Sequence, residues 1–87
     1  MNNLTFSPSA WDEYLYWQMQ DKKTLRRVNQ LLKDVRRNSF DGLGKPEPLK
    51  QKADCWSRRI DEKNRLVYLI HGDRDIMILS CKGHYED

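Results

Sequence analysis

The amino-acid sequence predicts an α+β fold in which two N-terminal helices pack on a small antiparallel sheet. Two observations favour this class. Apolar residues recur at helical spacing in the first half of the chain, and short alternating segments separated by turn residues fill the second half. Helices followed by consecutive hairpins are typical of α+β proteins. The 87 residues match the length of one small domain, so we expect a single domain over residues 1–87.

A short strand and a first helix are predicted at the N-terminus. Residues 4–6 are typical of a strand. Ser7 and Pro8 then form a helix start, because serine is a good N-cap and proline is favoured at the first helical position. The helix should extend to about Met19. Its aromatic residues are interpreted as core packing rather than as a binding platform: Trp11, Tyr14, Tyr16 and Trp17.

The second helix has the clearest periodicity in the chain and begins after Asp21, its predicted N-cap. Its apolar residues recur every three or four positions and predict a core-facing stripe: Leu25, Val28, Leu31, Leu32 and Val35. Basic residues share the opposite face: Lys22, Arg26, Lys33 and Arg37, with Arg36 beside them. This basic face is either a solvated surface or a ridge that follows a phosphate backbone.

The rest of the chain predicts strands. Glu47 lies between two prolines in an extended segment, because residues before proline avoid the helical conformation, and a short edge strand should follow through Leu49. Further strands are predicted over residues 56–60, 65–70 and 76–81, and the middle one is apolar on both faces and therefore central. Neighbouring strand residues point to opposite faces, so at most one of Arg58 and Arg59 can share a site with Arg65.

Composition sets limits on the kind of protein. Sixteen Lys and Arg against thirteen Asp and Glu give a modest net charge of +3. No segment reaches the ~18–20 apolar residues of a membrane span, and the start does not resemble a signal peptide. We therefore expect a cytoplasmic protein without membrane contact, in which Cys55 and Cys81 stay reduced. The chain has no CxxC, HExxH or P-loop motif, which disfavours a structural zinc site or a nucleotide-binding loop.

Several residues have the chemistry that metal-free RNA cleavage requires. The ribose 2′-oxygen must lose a proton, the 5′-oxygen must gain one, and the phosphate charge needs a fixed cation. Glu47 is a candidate base, and of the two histidines His84 suits an acid better than His71, which falls in a predicted turn. Strand arginines supply cations that bind phosphate oxygens. Each of these residues is also common on ordinary surfaces, so spacing alone predicts a basic α+β domain that binds RNA at most.

Five segments resemble one family over nearly the whole chain and in the same order. They are Trp11-Asp12-Glu13-Tyr14-Leu15-Tyr16-Trp17, Gly44-Lys45-Pro46-Glu47-Pro48-Leu49-Lys50, Trp56-Ser57-Arg58-Arg59-Ile60, Arg65-Leu66-Val67-Tyr68 and His84-Tyr85. These segments are similar to the YoeB (Txe) family of bacterial toxins, within the RelE-like superfamily of ribosome-dependent mRNA interferases. The resemblance implies an endoribonuclease toxin that cleaves mRNA in the ribosomal A site. We expect no metal or other cofactor, since the sequence has no carboxylate cluster to hold a magnesium ion.

The resemblance also implies roles for individual residues. Glu47 matches the general base, Arg65 the phosphate-stabilising arginine, His84 the general acid and Tyr85 the aromatic that orients the scissile nucleotide. The basic residues that it implies in RNA binding are Lys50 and Arg59, together with Lys22, Arg26, Lys33 and Arg37 of the second helix. The chain departs from the family pattern at Gly83, where relatives can have an aromatic residue, and at Glu86 and Asp87, which follow the His-Tyr pair.

The implied partners are a YefM-like antitoxin, the 70S ribosome and mRNA. A homodimer is compatible with the resemblance, and operator DNA would be contacted only through the antitoxin. Two other readings remain open from the residues. The first is a ribosome or RNA binder that does not cleave, and the second is a module whose main task is antitoxin binding and co-repression. Stalled translation without new mRNA ends would favour the first of these.

Overall fold

The described part of the computed structural model covers residues 2–72 and 75–83. It forms two helices and five strands, which follow the chain in the order β1 (Asn3–Phe6), α1 (Pro8–Gln20), α2 (Lys22–Arg37), β2 (Glu47–Pro48), β3 (Cys55–Arg59), β4 (Arg65–His71) and β5 (Asp75–Ser80). The α+β class with two N-terminal helices on a sheet is therefore confirmed. Neither of the two described helices is long and apolar enough to cross a membrane.

Both helices begin at the predicted caps. The Ser7 side chain accepts a hydrogen bond from the Ala10 backbone N–H at 3.1 Å, and Pro8 occupies the first turn. The Asp21 side chain accepts from the Thr24 backbone N–H at 3.0 Å and so starts α2 directly after α1 ends. These bonds satisfy backbone donors that have no partner inside the helix.

The five strands form one sheet in the order β1-β5-β4-β3-β2, which places β4 at the centre as predicted. Three pairs are antiparallel, namely β2 with β3, β3 with β4 and β4 with β5. β1 pairs parallel with β5, with Leu4 opposite Ile76. The sheet is therefore mixed, whereas the sequence predicted only antiparallel neighbours.

The core lies between the helices and one face of the sheet. The apolar stripe of α2 is buried or packed against the core as predicted, together with alternate residues of β4 and β5. In α1 the prediction was only partly right, because Trp17 is buried whereas Trp11 is 48% and Tyr16 46% exposed. Trp17 also donates its indole N–H to the Cys81 carbonyl at 2.8 Å. The buried core residues are Ala10, Trp17, Val28, Leu31, Leu32, Val35, Ile60, Leu66, Tyr68, Ile76, Ile78 and Cys81.

Candidate active site

The face of the sheet opposite the two helices, called the distal face here, brings the candidate residues together. Leu66 and Tyr68 of β4 belong to the core, so strand alternation turns their neighbours Arg65 and Val67 to the distal face. Residues directly opposite on adjacent strands share a face. The pairing of β2 with β3 and of β3 with β4 therefore assigns five residues to the distal face: Glu47, Ser57, Arg59, Arg65 and Val67.

The register sets the distance between the candidate base and the candidate cation. Glu47 of β2 pairs with Ser57 of β3, and Ser57 pairs with Val67 of β4. Arg65 lies two residues before Val67 on β4. With strands about 4.8 Å apart and a rise of about 3.3 Å per residue, the Cα atoms of Glu47 and Arg65 are roughly 12 Å apart. Both side chains are long enough to approach one phosphodiester placed between them.

In the described part of the chain, the Glu47 and Arg65 side chains are not engaged elsewhere. Glu47 is exposed and Arg65 is partly exposed. Within residues 2–72 and 75–83, neither forms a side-chain hydrogen bond or an ion pair. A carboxylate and a guanidinium that share a face and lack partners there can both serve a ligand.

The segment before the His84-Tyr85 pair is attached to the start of β4. The Arg65 backbone N–H donates to the Gly83 carbonyl at 3.0 Å, and the Gly83 N–H donates to Asn64 Oδ1 at 2.8 Å. Gly83 has a φ of +95°, which non-glycine residues rarely adopt, and this accounts for a glycine at this position. The predicted acid His84 and the predicted Tyr85 follow in the chain and lie outside the described residues.

Arg58 points away from the distal face and is fully buried. Its guanidinium pairs with Asp34 at 2.6 Å, and its Nε donates to the Tyr68 hydroxyl at 3.1 Å, which in turn donates to the Ser39 carbonyl at 2.8 Å. The other acceptors of Arg58 are the backbone carbonyls of Asn38, Asp41 and Leu43. This group of contacts, called the Arg58 network here, ties the loop between α2 and β2 to β3.

The surroundings of the Arg58 network shift the pKa values of Asp34 and Tyr68. The Leu43 backbone N–H, and after it the Arg58 guanidinium, hold the pKa of Asp34 below its usual value. Burial raises the pKa of Tyr68. Both shifts keep Asp34 ionised and Tyr68 protonated at neutral pH, which is the state that the hydrogen bonds require.

The predicted RNA-binding residues occupy accessible positions. Arg59 is exposed and lies directly opposite Arg65, so of the two neighbouring arginines it is the one that shares a surface with Arg65. Lys50 is exposed after β2. The basic ridge of α2 is exposed along its length: Lys22, Arg26, Lys33 and Arg37.

His71 ends β4 and is exposed. It lies six residues beyond Arg65, which corresponds to roughly 20 Å along a strand. His71 is therefore too far from Arg65 to act on the same phosphodiester.

The two cysteines are free and buried. Burial raises the pKa of Cys81 to about 12 and also raises that of Cys55, so both are protonated at neutral pH. Cys81 is fully buried and belongs to the core. In the part of the chain that the structure describes, no group of three or more His, Cys, Asp and Glu residues could ligate a metal ion. Metal independence itself stays a prediction.

Two features of this region were not foreseen. Strand alternation predicted that Arg58 and Arg59 face opposite ways, yet it gave no sign that Arg58 is fully buried. Ser57 was not singled out as a site residue, because its position opposite Glu47 depends on the β2–β3 register. The short alternating segment around Ser57 was the only local signal for either residue.

The fold is that of known bacterial toxins. A toxin from Agrobacterium tumefaciens described as YoeB/ParE superimposes with a TM-score of 0.91 at 40% identity and covers 98% of this chain and 100% of its own. A YoeB dimer from Staphylococcus aureus has a TM-score of 0.88 at 48% identity and covers 97% and 98%. A heterotetrameric YoeB–YefM toxin–antitoxin complex from the same organism has a TM-score of 0.85 at 47% identity and covers 98% and 99%.

Sequence comparison narrows this class to one family. The family model for YoeB-like toxins of bacterial type II toxin–antitoxin systems matches residues 6–85, and the chain belongs to that family. Toxin YoeB of Synechocystis is 50% identical over 84 residues, which cover 95% of this chain and 96% of the relative. Toxin YoeB of Escherichia coli K12 is 49% identical over 83 residues, which cover 94% and 98%.

Proposed function

We propose that this toxin is an endoribonuclease that cleaves mRNA in the ribosomal A site and thereby inhibits translation in the cytoplasm. The observation that carries the proposal is the pair formed by Glu47 and Arg65. They share the distal face at a spacing that suits one phosphodiester, and neither is engaged by another described side chain. The attachment of Gly83 to the Arg65 backbone supports a role for His84, which is the next residue in the chain.

The proposed reaction is a metal-independent transesterification. Glu47 takes the proton from the ribose 2′-hydroxyl, and the 2′-oxygen attacks the adjacent phosphorus in line. The bond from phosphorus to the 5′-oxygen breaks, and His84 donates a proton to that oxygen. Arg65 stabilises the negative charge on the phosphate, and Tyr85 orients the scissile nucleotide. The products are a 2′,3′-cyclic phosphate and a 5′-hydroxyl, and no change of oxidation state is involved.

Substrate binding is assigned to the accessible basic residues. Arg59 lies beside Arg65 and is suited to a phosphate next to the scissile one. Lys50 lies just beyond Glu47 in the chain and is assigned to the same mRNA backbone. The ridge of α2 is assigned to ribosomal RNA: Lys22, Arg26, Lys33 and Arg37. The 70S ribosome then acts as the scaffold that presents mRNA to the distal face.

A YefM-like antitoxin is the proposed partner that neutralises the toxin. The support is the S. aureus YoeB–YefM complex, whose toxin chain is 47% identical to this one. The S. aureus dimer likewise supports a homodimer. The basic surface of this chain suits an acidic, partly disordered antitoxin segment. Operator DNA would be contacted through the antitoxin and not by this chain.

Substitution of Glu47 by glutamine tests the catalytic assignment. Purified toxin is added to ribosomes that carry a defined mRNA, and new 5′ ends are mapped by primer extension. Glu47→Gln removes the base and should lower the cleavage rate by about 10²–10⁴-fold. Glu62→Gln is the matched control, because Glu62 is exposed in the turn between β3 and β4, and it should cleave at the parental rate.

Binding measurements separate cleavage from partner recognition. Glu47→Gln should still bind a YefM-like antitoxin, since the change alters one exposed carboxylate. Cleavage at the parental rate by the Glu47→Gln variant would exclude Glu47 as the general base. If the parental toxin stalls ribosomes without new mRNA ends, the non-cleaving ribosome binder is the correct function.

A further inference from the structure

Strand β3 passes beneath the position that a scissile phosphate would occupy. Glu47 and Arg65 lie on the two strands that flank β3, and they are offset by two residues along the strand direction. The line between their Cα atoms therefore crosses β3 midway between the residues opposite each of them, Ser57 and Arg59. Each of these two lies about 3.3 Å along the strand from that crossing point. Arg58, between them, points into the core.

Ser57 is the shorter of the two distal-face residues beside this crossing point. It is only 3% exposed, and its pairing with Val67 places it on the distal face, whose floor it forms. Its hydroxyl has no hydrogen-bond partner among the described residues. Every fully buried side-chain nitrogen or oxygen in that part of the chain has a partner, so the Ser57 hydroxyl oxygen is not fully buried. The remaining exposure of Ser57 is therefore at its hydroxyl, which opens towards the distal face.

The other serines with low exposure differ in this respect. The Ser39 hydroxyl donates to the Val35 carbonyl at 3.4 Å, and the Ser80 hydroxyl contacts Glu13 and the Lys82 carbonyl at 3.1 Å. Ser57 alone among these three keeps its donor available for a ligand in the described part of the chain.

We propose that the Ser57 hydroxyl donates a hydrogen bond to a non-bridging oxygen of the scissile phosphate, which adds a substrate-contacting residue to the site. This inference rests on the proposed ribonuclease function. A hydroxyl on the floor of the site, between the base and the cation, meets the phosphate from below while Arg65 and Arg59 approach from the side. The bond strengthens as negative charge grows on the phosphate oxygens in the transition state. The short side chain also lets the phosphate come close to the sheet.

The test combines a protein variant with a substrate variant. Ser57→Ala removes the hydroxyl and should lower the cleavage rate of ribosome-bound mRNA by about tenfold, the effect of one neutral hydrogen bond. The same mRNA is then prepared with sulfur in place of each non-bridging oxygen at the linkages of the A-site codon. Sulfur is a poor hydrogen-bond acceptor. The mRNA with sulfur at the oxygen that Ser57 binds, which is one of the two diastereomers, should therefore be cleaved about tenfold more slowly by the parental toxin.

The two effects should not add, because they remove the same hydrogen bond. Ser57→Ala should therefore lose the sensitivity to that diastereomer, and Ser57→Thr, which keeps a hydroxyl, should retain it. Ser80→Ala is the control and should behave like the parental toxin, because its hydroxyl contacts Glu13 of α1. A purely structural role for Ser57 would not change the response to one sulfur diastereomer.

The outcomes distinguish this inference from the function on which it rests. Parental rates with Ser57→Ala, or an unchanged diastereomer effect in that variant, would overturn the role of Ser57 while leaving ribonuclease activity intact. Absence of cleavage by the parental toxin on any programmed ribosome would overturn the ribonuclease function and with it this inference.

Discussion

Replacement of Arg58 by methionine should destabilise the fold strongly. Methionine keeps an unbranched side chain in the buried position but removes the charge and all donors. Asp34 would lose the guanidinium that lies 2.6 Å from its Oδ2, and the Tyr68 hydroxyl would lose its donor. The carbonyls of the loop that follows α2 would be left without the donors that now satisfy them.

The expected magnitude follows from the contacts that survive. Removal of one partner of a buried ion pair costs about 3–5 kcal/mol. Asp34 would keep the Leu43 backbone N–H at 2.9 Å, the main cause of its lowered pKa, so we expect a loss of about 3 kcal/mol, at the low end of that range. A chain of this length has about 4–13 kcal/mol of stability in total, so the Arg58→Met variant should keep about 1–10 kcal/mol.

Arg37 supplies a matched control, because it contacts the same Asp34 from the surface. Its guanidinium is 3.4 Å from Asp34 Oδ1 and its side chain is 81% exposed, against 0% for Arg58. Arg37→Met should therefore change the free energy of unfolding by no more than about 0.5 kcal/mol. Urea unfolding followed by tryptophan fluorescence measures both variants, since Trp17 is buried in the folded state.

Acid conditions give a second readout of the same pair. The folded pKa of Asp34 lies below the ordinary aspartate value of 3.8, so its ionised form stabilises the fold above that pH. This stabilisation is lost as the pH falls through the folded pKa. The stability difference between the parental protein and Arg58→Met should therefore narrow below pH 3.8. Equal, small losses for Arg58→Met and Arg37→Met would refute the reasoning.

Two further predictions concern the loop and the core. Gly42→Ala should destabilise the fold more than Gly72→Ala. Both glycines have positive φ values, of +126° and +67°. A Cβ at Gly42 would lie 2.0 Å from Asp34 Oδ2, whereas a Cβ at Gly72 would have no atom within 4 Å. We expect about 1 kcal/mol from the backbone at Gly72 and at least twice that at Gly42 in urea unfolding, and equal losses would contradict the clash. Cys81 should resist iodoacetamide at pH 8 in the native protein and react in urea, because burial raises its pKa to about 12; rapid native labelling detected by mass spectrometry would show that the thiol is accessible.

Local signals were enough to predict the helices but not every strand partner. Ser7 and Asp21 cap the helices where predicted because the capping bond involves residues three apart in the chain. β1, by contrast, pairs with residues that lie 72 positions later, and nothing near Leu4 in the chain specifies a parallel partner. The wrong prediction that Trp11 packs in the core had a similar cause. Helical spacing gives the face on which a residue lies but not the area that neighbouring elements cover, and Trp11 is 48% exposed.

The candidate site was predictable in its residues and not in its geometry. Glu47 and Arg65 were singled out by side-chain chemistry and by the resemblance to a family, and both lie on the distal face. Their alignment depends on the register of β2, a strand of two residues that follows an irregular loop. That loop contains a left-handed Lys45, which has a φ of +53°, and a one-residue change in its length would move Glu47 off Ser57.

The alternation of β3 connects the stability of the fold to the proposed site. Pro48 has no N–H to donate, and β2 is too short to hold its own register, so the position of Glu47 depends on the loop before it. Arg58 holds that loop from the core side, and the Arg59 backbone N–H binds the Gly44 carbonyl at 2.6 Å. On the other face of the same strand, Ser57 and Arg59 lie beneath the proposed phosphate. A change at Arg58 too mild to unfold the chain should therefore still move Glu47 relative to Arg65.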